Sequence, residues 1–320
     1  MTATSAPPLV VIAGATATGK TGLAIRLAEA LAAEGRPAEI ISADSRQVYR
    51  GLDIGTAKAT AADRARVPHH GLDLVEPDEP FSVADWAKHA RGVLAELSER
   101  RAVAILAGGT GLYLRAIARG IDTDALPSDA AVRARLEASL ASDGLDALVA
   151  RLEALAPTSA ARVDLRNPRR VVRALEIAEL QGDAPLPIPA GYPGPVAWIG
   201  LSVEPATHAR WIADRARGQF DAGLIDEARA LRERFDRGLP AFSAIGYRES
   251  WAVLDGQLTR EAAIELDAKR NIAFAKRQRT WFRAEPDVTW LDVTAGAPDD
   301  AARAIVTNLL AGLPGYPAAE

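Results

Sequence analysis

Short apolar runs alternate with longer amphipathic segments over the first part of the chain. The segments Leu9–Ala13, Ala38–Ser42 and Val103–Leu106 are short and largely apolar, as expected of strands buried on both faces. Between the second and the third of them, Phe81–Arg100 repeats apolar residues with the period of a helix and has a capping residue, Ser82, near its start. Strands that alternate with helices in this way predict an α/β fold with a parallel sheet.

The pattern changes near Ile121 and changes back near Pro195. Helical periodicity recurs over 129–142, 145–155, 159–163 and 168–180 without a strand pattern, and a linker rich in Pro and Gly follows. The earlier pattern then resumes, with strands over 196–203 and 288–293 and helices over 208–220, 225–235, 248–255, 261–283 and 299–311. We therefore predict an α/β core over residues 1–121 and 195–320 that carries a helical insertion over 122–194.

The turn after the first strand has the spacing G-x-x-x-x-G-K-T of a P-loop. Its residues are Gly14, Ala15, Thr16, Ala17, Thr18, Gly19, Lys20 and Thr21. The backbone N–H groups of such a loop and the positive end of the following helix attract phosphate oxygens. Lys20 adds a full charge, and the Thr21 hydroxyl is placed to bind a magnesium ion that shares the phosphates. The whole motif disfavours a glycine turn without a ligand and predicts a diphosphate or triphosphate.

Two further strand ends carry candidate chemistry. Asp44 follows the second strand, which we expect to neighbour the P-loop strand, and the turn Gly108–Thr110 follows the third. Because the carboxyl ends of parallel strands share one edge, these loops are expected to meet at one crevice. Asp44 then holds magnesium or acts as a general base, and Thr110 donates its hydroxyl to a phosphate. The alternatives are a loop hydrogen bond or helix cap for Asp44 and a helix cap for Thr110.

Composition restricts the class of protein. The 320 residues are 48% hydrophobic and 25% charged, as in globular proteins, and the absence of cysteine excludes disulfides and thiolate metal sites. The N-terminus has no secretory pattern and no apolar run approaches a membrane span, so we expect a cytoplasmic protein. His69–His70, in the connection Pro68–Gly71, lacks metal-ligand spacing. Trp211, Trp251 and Trp290 are expected to pack in the interior.

Basic residues cluster twice, although the net charge is −4. The segment Lys269–Arg283 contains no acid, and its basic residues fall on one half of a helix: Lys269, Arg270, Lys276, Arg277, Arg279 and Arg283. The other half carries Phe274, Gln278, Trp281 and Phe282. A second cluster in the insertion comprises Arg166, Arg169, Arg170 and Arg173. A solvated helix face is the alternative, but two basic elements beside a phosphate loop favour a polynucleotide substrate.

Several motifs, in order along the chain, resemble those of the tRNA dimethylallyltransferase family, also called tRNA isopentenyltransferases. They are Gly14–Thr21, Asp44–Arg50 (D-S-R-Q-V-Y-R), Asp53–Lys58 (D-I-G-T-A-K), Gly108–Tyr113 (G-G-T-G-L-Y), Arg169–Glu176 (R-R-V-V-R-A-L-E), Ile245–Arg248 (I-G-Y-R) and Lys276–Arg283 (K-R-Q-R-T-W-F-R). The P-loop alone occurs in very many proteins. Its combination with D-S-x-Q-V-Y and D-I-G-T-A-K is highly specific.

The resemblance implies an enzyme that transfers a dimethylallyl group from dimethylallyl diphosphate to N6 of the adenine adjacent to the anticodon in tRNA. Diphosphate leaves, Mg²⁺ assists, and the adenine is flipped into a channel that the donor enters from the other side. The implied fold is a P-loop NTPase-like α/β core whose helical insertion contacts tRNA. We expect the protein to be a monomer.

The resemblance also assigns roles at matching positions. Asp44 resembles the general base that takes a proton from the adenine amine, and Thr110 a residue near the reacting groups. The P-loop and Arg215 would hold the diphosphate, with Thr21 as the metal ligand. The positions that match tRNA contacts are Asp44, Ser45, Arg46, Gln47, Arg133, Arg169, Arg170, Val171, Val172, Arg173, Gly246, Tyr247, Arg248, Lys276, Arg277, Gln278, Arg279 and Arg283.

Some positions depart from the common family pattern, and two other functions stay open. The departures are Ala15, Thr18, Arg46, Trp211 and Asn271–Ala273. One alternative function is a P-loop kinase that transfers phosphate from ATP to a small molecule, with Arg133 and Arg135 clamping the phosphates. The other is a non-catalytic NTPase that binds RNA.

Overall fold

The computed structural model describes residues 6–185, 187–313 and 316, and these form a six-stranded parallel sheet with helices around it. The α/β fold with a P-loop core is confirmed. The strands are β1 Leu9–Gly14, β2 Ala38–Ser42, β3 His69–His70, β4 Val103–Gly108, β5 Val196–Ser202 and β6 Val288–Asp292. They lie side by side in the order β3-β2-β4-β1-β5-β6.

The helices connect and cover these strands. They are α1 Lys20–Ala33, α2 Ala61–Arg66, α3 Val83–Glu99, α4 Gly111–Ala118, α5 Ala130–Asp143, α6 Leu145–Leu155, α7 Pro157–Ala160, α8 Pro168–Gln181, α9 Pro205–Asp221, α10 Leu224–Arg234, α11 Tyr247–Leu254, α12 Arg260–Arg283 and α13 Asp299–Leu310, with a 3₁₀ turn at Pro240–Ser243. Ser82 caps α3 as predicted, since its hydroxyl accepts the Asp85 N–H. The helix α2 was not predicted, because six residues, three of them alanine and three charged, are too few to show a clear period.

Two sequence-based expectations about the strands are wrong. His69–His70 is the edge strand β3, paired to β2 through Ile40 and Ile41, because two residues are too few to show alternation. The strand before Asp44 does not neighbour the P-loop strand, since β4 pairs with both β2 and β1. Lateral order depends on how the crossovers pack and leaves no local pattern. Two strand spacings, about 10 Å, therefore separate the lines of β1 and β2.

The sheet is buried on both faces, which explains the continuous apolar strands. Leu9 and Val11 point to the side covered by α3, α4, α10, α11 and α12. Val10 and Ile12 point to the opposite side, which α1 and α13 cover. All four side chains have no exposed surface. Since burying one such side chain contributes about 1.5–3 kcal/mol, the P-loop strand is firmly fixed at the centre of the core.

Tryptophan packing was predicted only in part. Trp251 is buried, and its indole N–H donates to the Ala228 carbonyl at 2.8 Å. Trp290 is 40% exposed, because it lies on the edge strand β6, where its ring covers Gly200 and leaves its other side to solvent. Trp211 is half-buried.

The chain divides into two compact units. One comprises Met1–Gly120 and Gly191–Glu320, and the other is Ile121–Ala190. The second unit contains α5 to α8 around its own apolar cluster, which includes Leu136, Leu152, Val171 and Leu175. Within the part of the chain that the structure describes, no helix is long and apolar enough to cross a membrane.

Candidate active site

The P-loop joins β1 to α1 and is shaped by internal hydrogen bonds. Gly19 and Ala17 both have positive φ, 82° and 60°, a region that is strained for alanine and is maintained only by surrounding contacts. The Ala15 carbonyl accepts Thr18 Oγ1 at 2.9 Å and Lys20 Nζ at 2.7 Å. Thr18 is buried. Its hydroxyl therefore stabilises the loop, and the assignment of Thr18 to the diphosphate site stays a prediction.

Side chains from α9 and α12 hold Thr16 of the P-loop on three of its polar groups. The Thr16 N–H donates to Gln278 Oε1 at 2.8 Å, and Arg215 Nη1 donates to the Thr16 hydroxyl at 2.7 Å. His208 Nε2 lies 2.8 Å from the Thr16 carbonyl oxygen. The sequence did not single out His208, and no local pattern could have done so, because the two residues are 192 positions apart.

His208 is a neutral, buried imidazole. Burial lowers its pKa, the hydrogen bond to the Thr16 carbonyl opposes this, and Arg279 lowers it further. Its Nε2–H donates to Thr16, and its Nδ1 accepts from Arg279 Nη1 at 3.2 Å. Arg279 is half-buried, and this predicted tRNA contact also supports the P-loop through its hydrogen bond to His208.

A cavity of about 650 Å³ opens beside the P-loop. Its walls include Thr16, Lys20 and Thr21 from the end of β1, Asp44 from the end of β2, and Gly108 and Gly109 from the end of β4. The helices α9 and α12 complete it with Trp211, Arg215, Phe274 and Gln278. The ends of β1, β2 and β4 thus share one cavity, as expected because the carboxyl ends of parallel strands lie at the same edge of a sheet. A phosphate loop and a carboxylate line the same space.

The loop that carries Asp44 is fixed by the turn after β4. Asp44 Oδ1 accepts the Arg46 N–H at 2.8 Å, so the predicted loop hydrogen bond exists but uses one carboxylate oxygen. Thr110 Oγ1 accepts the Ser45 N–H at 3.0 Å, and the Thr110 N–H donates to the Ala43 carbonyl. Thr110 stands at the N-cap of α4 without a side-chain cap bond. Its hydroxyl therefore positions the Asp44 loop.

The cavity is electropositive beside Asp44. Burial, together with the neighbouring Arg215, lowers the pKa of Lys20 to about 8, although Asp44 partly opposes both effects. Burial also lowers the pKa of Arg215, which nevertheless stays charged because the ordinary pKa of an arginine lies far above neutral pH. Two cations that lack full hydration bind a multivalent anion strongly.

Comparison with known proteins agrees with this geometry. The model of the IPP transferase family matches residues 47–285. The tRNA dimethylallyltransferase of Thiobacillus denitrificans is 44% identical over 94% of this chain and 96% of its own length, and that of Geobacillus kaustophilus is 42% identical over 90% and 91%. The chain belongs to the IPP transferase family.

Solved structures agree at the level of the fold. The full-length tRNA isopentenylpyrophosphate transferase of Bacillus halodurans superimposes with a TM-score of 0.68 at 40% identity, covering 95% of this chain and 96% of that one. A eukaryotic dimethylallyltransferase superimposes with a TM-score of 0.80 at 24% identity, over 96% and 80% of the two chains. This second likeness shows that the fold persists where the sequences have largely diverged.

The lowered pKa of Lys20 predicts a pH dependence for this IPP transferase. Below about pH 8 the Lys20 ammonium is charged and suited to an anionic ligand, whereas above about pH 8 it loses that charge. We expect kcat/KM for the donor to fall by up to about tenfold per pH unit between about pH 8 and pH 9.5. Initial rates at limiting donor measure this. Lys20→Arg moves the fall to higher pH, and a profile that is the same in both proteins would contradict the assignment.

Helix α12 presents only part of its predicted basic face. Lys269, Lys276, Arg277 and Arg283 are exposed, whereas Arg270 is half-buried and paired with the buried Glu249. Phe274 was expected on the packed half but is 37% exposed, because the cavity opens where a neighbouring wall would cover it.

Several positions that match tRNA contacts are buried. Tyr247 has no exposed surface and donates its hydroxyl to Glu227 at 2.7 Å, while Val171 and Val172 lie in the core of the second unit. Gln278 is 7% exposed and bonded to the P-loop. The side chains of Tyr247, Val171 and Val172 pack inside the protein and that of Gln278 faces the P-loop, so the assignment of these four positions as tRNA contacts stays a prediction. The motifs contain packing residues as well as surface residues, and a motif match does not separate them.

The D-S-R-Q segment is also anchored to its neighbours. Gln47 Nε2 donates to the Thr56 carbonyl at 3.1 Å, and Gln47 Oε1 accepts the Ser42 hydroxyl at 2.8 Å. Arg46 donates to the Pro240 carbonyl at 2.9 Å. These hydrogen bonds therefore fix the shape of the segment.

Within the second unit, Glu176 forms ion pairs with two of the arginines. It is fully buried and pairs with Arg133 at 2.9 Å and Arg173 at 2.8 Å. Arg135 pairs with Glu179. Arg169 and Arg170 are exposed at the start of α8. The first three arginines are thus held by acids of their own unit, whereas the last two present their charge to solvent.

Proposed function

We propose that this member of the IPP transferase family transfers the dimethylallyl group of dimethylallyl diphosphate to N6 of the adenine adjacent to the anticodon in tRNA, with diphosphate as the leaving group. The observation that carries the proposal is the single cavity lined by both the P-loop and Asp44. Family membership supplies the reaction class, and the cavity supplies a place for each reacting group.

The transfer breaks the bond between C1 of the dimethylallyl group and the diphosphate oxygen and forms a bond between C1 and the adenine N6. Negative charge develops on the departing diphosphate, and Lys20 and Arg215, which line the cavity, are the cations proposed to stabilise it. Thr16 offers its hydroxyl proton to the same anion, since its oxygen already accepts from Arg215. The P-loop thus binds a leaving group.

Asp44 is the proposed general base. The exocyclic amine of adenine is a weak nucleophile and becomes positively charged as the bond to C1 forms. A carboxylate held beside it removes the surplus proton and leaves a neutral secondary amine, which is a poor leaving group in the reverse reaction. Asp44 suits this role because the Arg46 N–H orients one of its oxygens, while the residue itself lines the cavity.

Mg²⁺ is proposed as the assisting ion. It neutralises diphosphate charge when bound and typically takes one or two protein ligands together with phosphate oxygens and water. Thr21, exposed at the start of α1 and lining the cavity, provides such a hydroxyl. No group of three or more acidic or histidine side chains suited to a metal occurs among the residues that the structure describes. That donor set fits an ion held chiefly by substrate.

The exposed end of α12 is the proposed surface for the tRNA backbone. Lys276, Arg277 and Arg283 are exposed close in sequence to Gln278, which lines the cavity. Phosphate contacts bring the anticodon loop into register, and an unpaired adenine is extruded more easily than one in a helix.

Neutralising this surface has a measurable consequence. We expect Lys276→Gln with Arg277→Gln to weaken tRNA binding about tenfold and to reduce the slope of log Kd against log salt by about 1–2. Fluorescence titrations at several salt concentrations give both values. Arg303→Gln on α13 serves as the control. It removes an exposed charge that is paired with Glu34, and we expect it to leave the slope unchanged. An unchanged slope in the double variant would remove α12 from the interface.

The phosphotransfer alternative is not favoured. The arginines that a kinase would use to clamp phosphates, Arg133 and Arg135, are paired with Glu176 and Glu179 of the same unit.

Incubation with dimethylallyl diphosphate radiolabelled in the dimethylallyl group and with unmodified tRNA tests the proposal. Label in tRNA, recovered on adenine after nuclease digestion, is expected. ATP hydrolysis without label in tRNA would refute it.

A further inference from the structure

Gln278 is a buried amide that touches two catalytic loops at once. Its Oε1 accepts the Thr16 N–H at 2.8 Å, and its Nε2 donates to the Gly109 carbonyl at 2.9 Å. Both ends of the amide are therefore used, and the side chain is 7% exposed. The fit is close, because a Cβ at Gly109 would collide with the Gln278 amide nitrogen.

One of the two loops that Gln278 joins is proposed to bind the diphosphate, and the other positions the proposed general base. Thr16 belongs to the loop that holds the diphosphate. Gly109 precedes Thr110, whose hydroxyl accepts the Ser45 N–H next to Asp44. Hydrogen bonds thus join the P-loop to Gln278, Gln278 to Gly109, and Thr110, the next residue along the chain, to the loop of the proposed base.

We propose that Gln278 is a positioning residue that sets the separation between the diphosphate loop and Asp44, so that the dimethylallyl group is released towards the adenine amine and not towards water. The inference rests on the proposed function and deepens it. The assignment of Gln278 as a tRNA contact stays the alternative, which the tRNA affinity of variants at this position tests.

Alignment matters here because the donor is reactive. As the C1–O bond stretches, C1 becomes electrophilic and combines with the best-placed nucleophile. A displacement of about 1 Å between reacting groups costs on the order of 10²-fold in rate. When N6 is misplaced, water attacks instead: its oxygen bonds to C1, it loses a proton, and diphosphate leaves, which gives dimethylallyl alcohol. Loss of alignment therefore changes the products as well as the rate.

The test compares two changes at position 278 with a neighbour on the exposed face of α12. Gln278→Met keeps the length of the side chain and removes both hydrogen bonds. Gln278→Glu keeps an acceptor for Thr16 but loses the donor to Gly109. Arg277→Gln is the matched control, since Arg277 is exposed and lies next in sequence. Each protein is given labelled donor and unmodified tRNA, and alcohol and prenylated tRNA are counted in the same reaction.

We expect both variants at 278 to lose on the order of 10²-fold in kcat for prenylation. The ratio of alcohol to prenylated tRNA rises at least about tenfold in both variants, while Kd for tRNA changes less than about threefold. Kd for inorganic diphosphate stays within about threefold in Gln278→Met, whereas the added negative charge of Gln278→Glu weakens diphosphate binding. The control shows the reverse pattern, with weaker tRNA binding and an unchanged ratio. If Gln278→Met does not fold, the product ratio of Gln278→Glu decides.

Two results would overturn the inference. One is weaker tRNA binding with an unchanged product ratio, which makes Gln278 a tRNA contact. The other is a lower kcat with an unchanged ratio and a lower melting temperature, which makes it merely structural. Wild-type enzyme in the same assay tests the proposed function separately, because failure there means that no prenylated tRNA forms at all.

Discussion

Asp44→Asn is expected to reduce kcat for tRNA prenylation by about 10²–10⁴-fold while tRNA affinity changes less than about threefold. Asparagine has the shape of aspartate and can still accept the Arg46 N–H, now 2.8 Å from Asp44 Oδ1. The loop therefore keeps its form. What disappears is the carboxylate proposed to receive the proton of the adenine amine, and single-turnover rates at saturating donor and tRNA measure that loss.

Asp226→Asn on α10 is a suitable control, because Asp226 is exposed and pairs only across one turn with Arg229. It is expected to behave as wild type. Asp44→Ala, by comparison, removes both the base and the loop hydrogen bond. Equal losses of tRNA affinity and turnover in Asp44→Asn would make Asp44 a structural residue and leave the reaction without a base.

Lys20→Met is expected to reduce kcat/KM for the donor by about 10²–10³-fold, since it removes a charge-assisted contact to the leaving group from a partly desolvated site. Methionine fills the same volume, but the Ala15 carbonyl loses the Lys20 ammonium and keeps the Thr18 hydroxyl. The loop should therefore retain its shape. Competition by inorganic diphosphate weakens in parallel, which separates binding of the leaving group from chemistry at the adenine.

Lys20→Arg is the matched control for this change. It keeps the charge, and we expect it to retain much more activity than Lys20→Met at about pH 7. Unaltered diphosphate affinity in Lys20→Met, or a loss of tRNA affinity of the same size, would show that the P-loop does not hold the leaving group.

The local parts of this site are readable from the sequence. The P-loop, the strand before it and the helix after it lie within a few residues of one another, so spacing alone predicts them. The convergence of the Asp44 loop and the Gly108–Thr110 turn beside the P-loop is predictable because parallel strands place their carboxyl ends together, a rule that holds without knowing which strands are neighbours. That is why this convergence was predicted even though β4, and not β2, pairs with β1.

The parts that depend on distant packing are not readable in this way. The helical period places Gln278 on the packed half of α12, but its partner Thr16 is 262 residues away. Tyr247 and Val171 lie inside motifs of exposed basic residues and are nevertheless buried. Phe274 is exposed only because a cavity opens beside it. In each case the burial or the partner of the residue depends on a segment from elsewhere in the chain that packs next to it.

The central claim is that the P-loop binds a leaving diphosphate and that the bond broken is carbon–oxygen. Dimethylallyl diphosphate carrying ¹⁸O in the bridging position, reacted with unmodified tRNA, tests it most directly by mass spectrometry of both products. The account predicts ¹⁸O in the released diphosphate and an unlabelled dimethylallyl group on adenine N6. An ¹⁸O atom in the tRNA product, or phosphate transferred to tRNA or a small molecule, would contradict it.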